Sequence, residues 1–223
     1  MIFAYRVDLI LEGEAMRMLM MGAPGSGKGT QSEILAKKLN IPTISTGAML
    51  REAIANGTEV GKEAAKYIND GKLVPDETII NVVLERVSKD DCKNGYILDG
   101  FPRTLAQAEA MDKAGIETDV ALMIDITEEE IIRRLAGRVV CSKCPATYHV
   151  TDKPSKAGDK CEVCGADLIT RDDDKPETIL NRLKIYNEST APVIKYFENK
   201  LVKVMAQEKV SDVTDAIMKA LGV

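Results

Sequence analysis

The stretch that most constrains this chain is Gly22 to Thr30, GAPGSGKGT. It spaces Gly22, Gly27 and Lys28 as G-x-x-x-x-G-K, the pattern of a phosphate-binding loop. Gly29 takes the place where Ser or Thr usually follows the lysine, and Thr30 comes one position later. An apolar run, Met18 to Met21, precedes the loop, and Ile34, Leu35 and Leu39 follow it at helical spacing. The motif is therefore expected between a buried strand and a helix, the context such a loop requires. Glycines let the backbone turn its N–H groups inward, and that nest, with the positive end of the next helix, holds phosphate oxygens. Lys28 adds a point charge that can follow a phosphoryl group in transfer. A plain glycine-rich turn does not call for Gly-Lys-Gly-Thr at this spacing behind an apolar strand.

From Arg17 onward, strands and helices alternate. The pattern predicts strands at 18–21, 43–45, 96–98, 120–126 and 201–204. It predicts helices at 28–39, 48–55, 60–69, 76–88, 105–114, 128–136, 177–187, 192–199 and 213–221. Such alternation implies a parallel sheet with helices on both faces, with ligands bound beyond the carboxyl ends of the strands. The loop, Thr46 and Asp99 each follow a strand end and should meet there. Two segments break the alternation. Gly47 to Ser88 is helical without a strand, and Val139 to Thr170 is rich in Cys, Lys, Gly and Asp with little periodicity. Both read as insertions over the sheet. Residues 1–15 stand outside the pattern and read as an extension or tail.

Composition narrows the function classes. A chain of 223 residues, 45% apolar, can bury one α/β core and carry an insertion. The net charge of −5 argues against a general nucleic-acid binder but leaves room for locally clustered cations. No apolar run reaches the ~20 residues that span a bilayer, and Arg6 and Asp8 interrupt the first apolar stretch, so no signal peptide is read there. A cytoplasmic location without membrane attachment is expected. The five cysteines divide into a lone Cys92 and two C-x-x-C pairs, which suits metal binding better than disulfides.

Three stretches carry further chemistry: STGAMLRE (Ser45 to Glu52), with Arg51 one turn into a helix; GKLVPDE (Gly71 to Glu77), where Pro75 and Asp76 open the next helix; and GYILDGFPRTLAQAE (Gly95 to Glu109). In the last, an apolar strand delivers Asp99 at its end, and Gly100 permits close backbone approach. Arg103 and Gln107 are expected on one face of the helix that follows. An Asp beside a phosphate loop suits the holding of Mg²⁺-bound water. Taken singly, each has an ordinary reading as a surface Arg or a capping Asp.

Further on, Arg134 and Arg138 lie four apart and are expected to share a helix face at the mouth of the second insertion. Arg171 closes that insertion, and Arg182 follows in the next helix. Such arginines can surround a polyphosphate, because phosphoryl transfer needs positioning and positive charge above all, and Arg offers a rigid fork. The competing reading is a solvated helix face paired with Glu, and it is preferred for Arg133 in EEEIIRR. Cys141-x-x-Cys144, sixteen residues, then Cys161-x-x-Cys164 is the spacing of a four-thiolate zinc site. Four ligands leave no open position, so one structural Zn²⁺ per chain is expected, with iron the less favoured occupant. His149, nearby, is not expected to ligate it, and Cys92 is expected to be an ordinary loop thiol.

Together and in this order, these motifs from Met16 to Val223 resemble the adenylate kinase family, of the long-lid type with a four-cysteine zinc site. The resemblance implies the P-loop nucleoside monophosphate kinase fold, with a central five-stranded parallel sheet, a helical AMP-binding insertion (47–88) and a zinc lid (139–170) on a core of 16–46, 89–138 and 171–223. It implies the reaction MgATP + AMP ⇌ 2 ADP in a monomer that takes ATP, AMP and ADP, with Mg²⁺ entering on ATP and no nucleic-acid partner. By the same resemblance Gly25, Ser26, Gly27, Lys28, Gly29, Thr30, Arg134, Arg138, Thr147 and Tyr148 bind ATP. Thr46, Gly47, Arg51, Leu73, Val74, Gly100, Arg103, Gln107, Arg171 and Arg182 bind AMP, with Gln107 reading the adenine edge. Lys28, Asp99, Arg103, Arg134, Arg171 and Arg182 serve the transfer, and Asp173 and Asp174 arrange the arginines. Ala48 departs from the family, which often has Asp there as a second anchor for Mg²⁺ waters, so more rests on Asp99. The rival readings are a kinase for another nucleoside monophosphate, which Gln107 and the long lid oppose, and a zinc-ribbon nucleic-acid-binding ATPase.

Overall fold

The structure, a computed structural model, describes residues 15–144 and 146–222. The expected N-terminal extension falls, apart from Ala15, outside the described residues. The strands are β1 (Met16–Met21), β2 (Thr43–Ser45), β3 (Gly95–Asp99), β4 (Val120–Asp125), β5 (Arg138–Cys141), β6 (Thr147–His149), β7 (Leu168–Ile169) and β8 (Leu201–Met205). The helices are α1 (Lys28–Leu39), α2 (Thr46–Ala55), α3 (Glu59–Ile68), α4 (Asp76–Val87), α5 (Leu105–Lys113), α6 (Glu128–Ala136), α7 (Pro176–Ile185), α8 (Ala191–Tyr196) and α9 (Val210–Leu221).

Five strands make one parallel sheet in the order β2-β3-β1-β4-β8, as the alternation predicts. In β1, Met18 and Met20 join one apolar cluster while Leu19 and Met21 join another on the opposite face. Burial on both faces is why the strand reads as an unbroken apolar run rather than an alternating one. One face is covered by α1 and α9 through Leu35, Val213, Ile217 and Leu221. The other is covered by α2, α3, α4, α5 and α8 through Leu50, Ala64, Val83, Met111 and Val193. The chain runs from β1 to the edge strand β2, returns to β3 beside β1, then crosses to β4 and on to β8 on the other side, so the direction of winding reverses at β1, the switch point beside which ligands bind. Register sets Met20 beside Asp99, which brings the end of β3 next to the phosphate loop.

The structure differs from the sequence reading in four places. Residues 139–170 are not irregular: β5 pairs antiparallel with both β6 and β7 in a second small sheet. Helix α6 stops at Ala136, so Arg138 opens β5 and does not share a helix face with Arg134. The helix expected to reach residue 187 ends at Ile185 and widens into a π-turn, Tyr186–Thr190. Thr46 follows the end of β2 as expected, but α2 begins there rather than at residue 48. No helix among the described residues is long and apolar enough to cross a membrane.

Candidate active site

The phosphate loop crosses the end of β1 so tightly that only glycine fits at its start. Gly22 has φ 135°, and a Cβ there would lie 2.5 Å from the Ile124 carbonyl oxygen. Gly27 then turns left-handed as the N-cap of α1, without a side-chain cap, so the first N–H groups of the helix stay free of one. Lys28 folds back across the loop, its Nζ donating to the Gly22 and Ala23 carbonyl oxygens at 2.8 Å each. The Ser26 hydroxyl is buried there and has no hydrogen-bond partner among the described residues. Gly29 is exposed and Thr30 half-buried in the first turn. A Cβ at Gly29 would sit 3.6 Å from Asp99 Oδ2, so the carboxylate faces the helix start, where it also accepts from Ser45 Oγ at 3.3 Å.

A cleft opens between this loop and the helical segment, and four of its wall residues are cationic in the expected set: Lys28, Arg51, Arg103 and Arg182. Two buried aspartates hold the arginines in place. The fully buried carboxylate of Asp174 accepts two bonds from Arg138, at 2.7 and 2.5 Å, and one from Arg182 at 2.9 Å. Asp173 pairs with Arg182 at 3.1 Å and faces Arg171 at 3.7 Å. The crowding is costly to the cations. Burial, opposed by Asp99 and reinforced by Arg103, Arg182 and Arg138, lowers the Lys28 pKa to about 8. Burial first and Arg171 next press Arg51 down to about 9, and burial with Arg138 brings Arg171 to about 10. Burial works against the charge of Asp173 too, yet Arg182, Arg171, Arg51 and Arg138 outweigh it and lower its pKa. A site of this kind gains whenever an anion enters.

On the far wall, Thr46 donates from Oγ1 to the Gly100 carbonyl oxygen at 2.8 Å, and Arg103 donates from Nε to the same oxygen at 2.7 Å. Gly100 is left-handed, and a Cβ on it would press to 2.6 Å from Arg103 Nη2. Gly47 lies against the Arg51 guanidinium. Leu73 and Val74 give the wall its apolar part, and Gln107 is buried in it between Asp76 and the backbone of Arg103. The cleft also takes Leu50, Pro102 and Tyr186, which sequence reasoning missed because their only signal is apolarity. Helix α7 closes the cleft: Asn181 donates to the Asp70 carbonyl oxygen at 2.7 Å, and Gly71 leaves no room for a Cβ against Thr178 and Arg182.

Arg134 stands apart from the aspartate pair. It bonds Glu130 Oε1 at 2.7 Å and the Gln207 carbonyl oxygen at 2.9 Å, with its Nη1 nearest to Gly27 of the loop. Arg133 pairs with Glu130, as expected, and also reaches Asp152 beyond β6 with two bonds at 2.9 and 2.8 Å.

The four paired cysteines come together. Their Sγ atoms all lie within 4.8 Å of one another. A tetrahedral Zn²⁺ at ~2.3 Å from each thiolate has sulfur–sulfur edges of about 3.8 Å, which this spacing fits. The closest sulfurs, 3.3 and 3.5 Å apart, are too distant for disulfides. Backbone N–H groups of Lys143 and Cys144 donate to Cys141 Sγ, the local fold that stabilises a thiolate ligand. Tyr148 is buried in this cluster with its hydroxyl 3.4 Å from Cys161 Sγ, while the Thr147 carbonyl oxygen accepts from Lys153. His149 is outside the cluster. Its Nδ1 accepts from the Thr151 and Asp152 N–H groups. Cys92 is buried beside Arg86 and Asp91, far in sequence from the pairs.

A glycine-rich loop at the switch point of a parallel sheet, faced by a crowd of cations and an Asp on the neighbouring strand, defines a P-loop phosphotransferase. The model of the family described as "Adenylate kinase" matches residues 20–202. Curated adenylate kinases of Caldicellulosiruptor bescii and Caldicellulosiruptor saccharolyticus are 49% and 48% identical over 214 residues, covering 93% of this chain and all of each relative. That of Methanothrix thermoacetophila is 47% identical over 213 residues, covering 93% of this chain and 99% of its own. The chain belongs to the adenylate kinase family, the nucleoside monophosphate kinases that move a phosphoryl group between ATP and AMP.

Proposed function

We propose that the chain transfers the γ-phosphoryl group of ATP to AMP, reversibly, giving two ADP. The supporting observation is the cleft itself: Lys28, Arg51, Arg103 and Arg182 line it together with the phosphate loop, and burial lowers the pKa values of Lys28, Arg51 and Arg103. The loop from Gly25 to Thr30 would hold the ATP phosphates, with Arg134 and Arg138 completing the cage from the lid side and Thr147 and Tyr148 contributed by the lid. Thr46, Gly47, Arg51, Leu73, Val74, Gly100 and Gln107 would hold AMP. Arg103, Arg171 and Arg182 would bridge the two phosphate groups, where Lys28 follows the transferring group. Asp99 would hold water on the Mg²⁺ that enters with ATP, an ion that draws off charge from the phosphates. Because AMP phosphate is already a nucleophile, alignment and charge are the protein's contribution, and no separate base is assigned. Closure of the 47–88 and 139–170 segments would exclude water as a competing acceptor.

Cys141, Cys144, Cys161 and Cys164 would hold one structural Zn²⁺. Four thiolates kept for a metal suit the reducing cytoplasm, where the enzyme would act as a monomer without nucleic acid. A coupled assay of ADP formation decides the activity. ATP with AMP should turn over far faster than ATP with UMP, CMP or GMP, and Lys28→Ala should lose at least about a hundredfold. ADP release that does not depend on AMP, or near-normal turnover in the folded Lys28→Ala protein, would remove this reading.

A further inference from the structure

The Gln107 side chain is buried, and its amide is held at both ends. Its Nε2 donates to Asp76 Oδ1 at 2.7 Å, and its Oε1 accepts from the backbone N–H of Arg103 at 2.7 Å. A carboxylate only accepts and a peptide N–H only donates, so neither bond survives if the amide turns over. Asp76 is itself fixed, because its second oxygen accepts from Thr104 Oγ1 at 3.0 Å, and that hydroxyl accepts from the Gln107 backbone N–H at 3.1 Å. Asp76 comes from the start of α4, whereas Thr104 and Gln107 belong to the start of α5. Gln107 lines the cleft, and Asp76 is not among the lining residues.

An amide has two donor hydrogens and two acceptor lone pairs. Asp76 and Arg103 use one of each, which leaves one N–H and one lone pair for a ligand. A 6-aminopurine presents an N–H beside an accepting ring nitrogen and matches that pair. A 6-oxopurine presents the reverse order on one edge and two acceptors on the other. An amide free to turn would suit either base, whereas one that cannot turn suits only the first.

We propose that Asp76 is a positioning residue that fixes the Gln107 amide and so makes the monophosphate site accept a 6-aminopurine and reject a 6-oxopurine. The proposal rests on the reading that Gln107 contacts the base. Asp76 is also an acidic residue in the first turn of α4, where any carboxylate favours the helix, so the test separates that role from the one proposed.

The experiment compares kcat/KM for AMP and for inosine monophosphate, at saturating ATP, in the intact enzyme and in Asp76→Ala, Asp76→Asn and Gln107→Leu. In Asp76→Ala the AMP preference should fall about tenfold or more, as expected when a bond to a charged group is lost, while the KM for ATP holds. Asp76→Asn keeps an accepting oxygen and should retain the preference to within about threefold, although it has lost the charge at the helix start. If Gln107→Leu abolishes the preference and Asp76→Ala keeps it, the role of Asp76 is overturned and the reading of Gln107 stands. If Gln107→Leu leaves the preference intact, the reading of Gln107 fails and the proposal with it. Equal losses in Asp76→Asn and Asp76→Ala would assign the effect to helix charge and overturn the proposal. Should Asp76→Ala not fold, the wild-type enzyme still decides by nitrogen-15 NMR. Gln107 should show two separate side-chain amide protons exchanging with water more slowly than those of exposed Gln207, and equal exchange would overturn the proposal.

Discussion

The two segments inserted into the sheet fold are built on different principles. The helical one, between β2 and β3, has no core of its own: Leu50, Ala64, Val74, Ile79 and Val83 join the same apolar cluster as Leu19 and Leu98 of the central sheet. The one between β5 and β7 does the opposite. Its cluster consists of Cys141, Tyr148 and Cys161 with a few half-buried neighbours, and it does not merge with the cluster beneath the sheet. Apolar side chains give the first segment its order by burial shared with the whole protein. The second has too few of them, and in their place stand four clustered thiolates that could hold an ordering metal.

The largest expected effect tests that contrast directly. Chelation of the metal, or Cys161→Ser, should unfold the 139–170 segment, since the ~10–16 kcal/mol of a structural zinc site is folding free energy. Limited proteolysis should then cut within 142–167 and leave the helical segment whole. Cuts spread evenly over both segments, or none at all, would erase the distinction. Next in size, Leu50→Ala should cost about 2–5 kcal/mol and lower the single unfolding transition of the whole protein, measured by denaturant titration. A loss confined to a separate minor transition would show that the helical segment has a core of its own after all.

A smaller effect arises at the phosphate loop, beside the helical segment. Because the Lys28 pKa is lowered to about 8 and a bound anion favours the charged form, ATP binding should take up a proton above about pH 8. Affinity should be level below that pH and fall above it, by up to about tenfold per pH unit. Arg138, from the lid side, adds to the suppression, so Arg138→Ala should move the break upward. Titration calorimetry in two buffers of unlike ionisation enthalpy would detect the proton, and the absence of uptake between pH 8 and 9.5 would contradict it. The smallest effect belongs to Arg133, whose pair with Asp152 ties α6 to the lid at an exposed position. Arg133→Ala should leave the melting temperature almost unchanged and speed lid proteolysis by less than about fivefold. A large drop in melting temperature would mean that the lid leans on the core more than its separate cluster suggests.

Local patterns made the phosphate loop, Asp99, the parallel sheet and the cysteine pairs legible, because each is set by neighbours in sequence. The three lid strands were not, since elements of two to four residues have no periodicity and are fixed by the knuckles around the thiolates. The position of Arg138 was missed because Gly137 ends α6 one residue before it. Asp76 was read as a helix opener, and nothing local shows that it meets Gln107 thirty-one positions later. The pair of Arg133 with Asp152 is of the same kind, a contact made only when the chain returns.

Helix α7 holds the turn at Asp70 and Gly71 through Asn181, and the next residue, Arg182, grips Asp173 and Asp174, the second of which anchors Arg138 at the root of the lid. It is thus a lever with a load at each end. One joint of that lever is a neutral hydrogen bond of about 1 kcal/mol, beside the close packing of Gly71 on Thr178 and Arg182. A coupling of that size along this route lets a ligand bound on one side change the affinity on the other about fivefold.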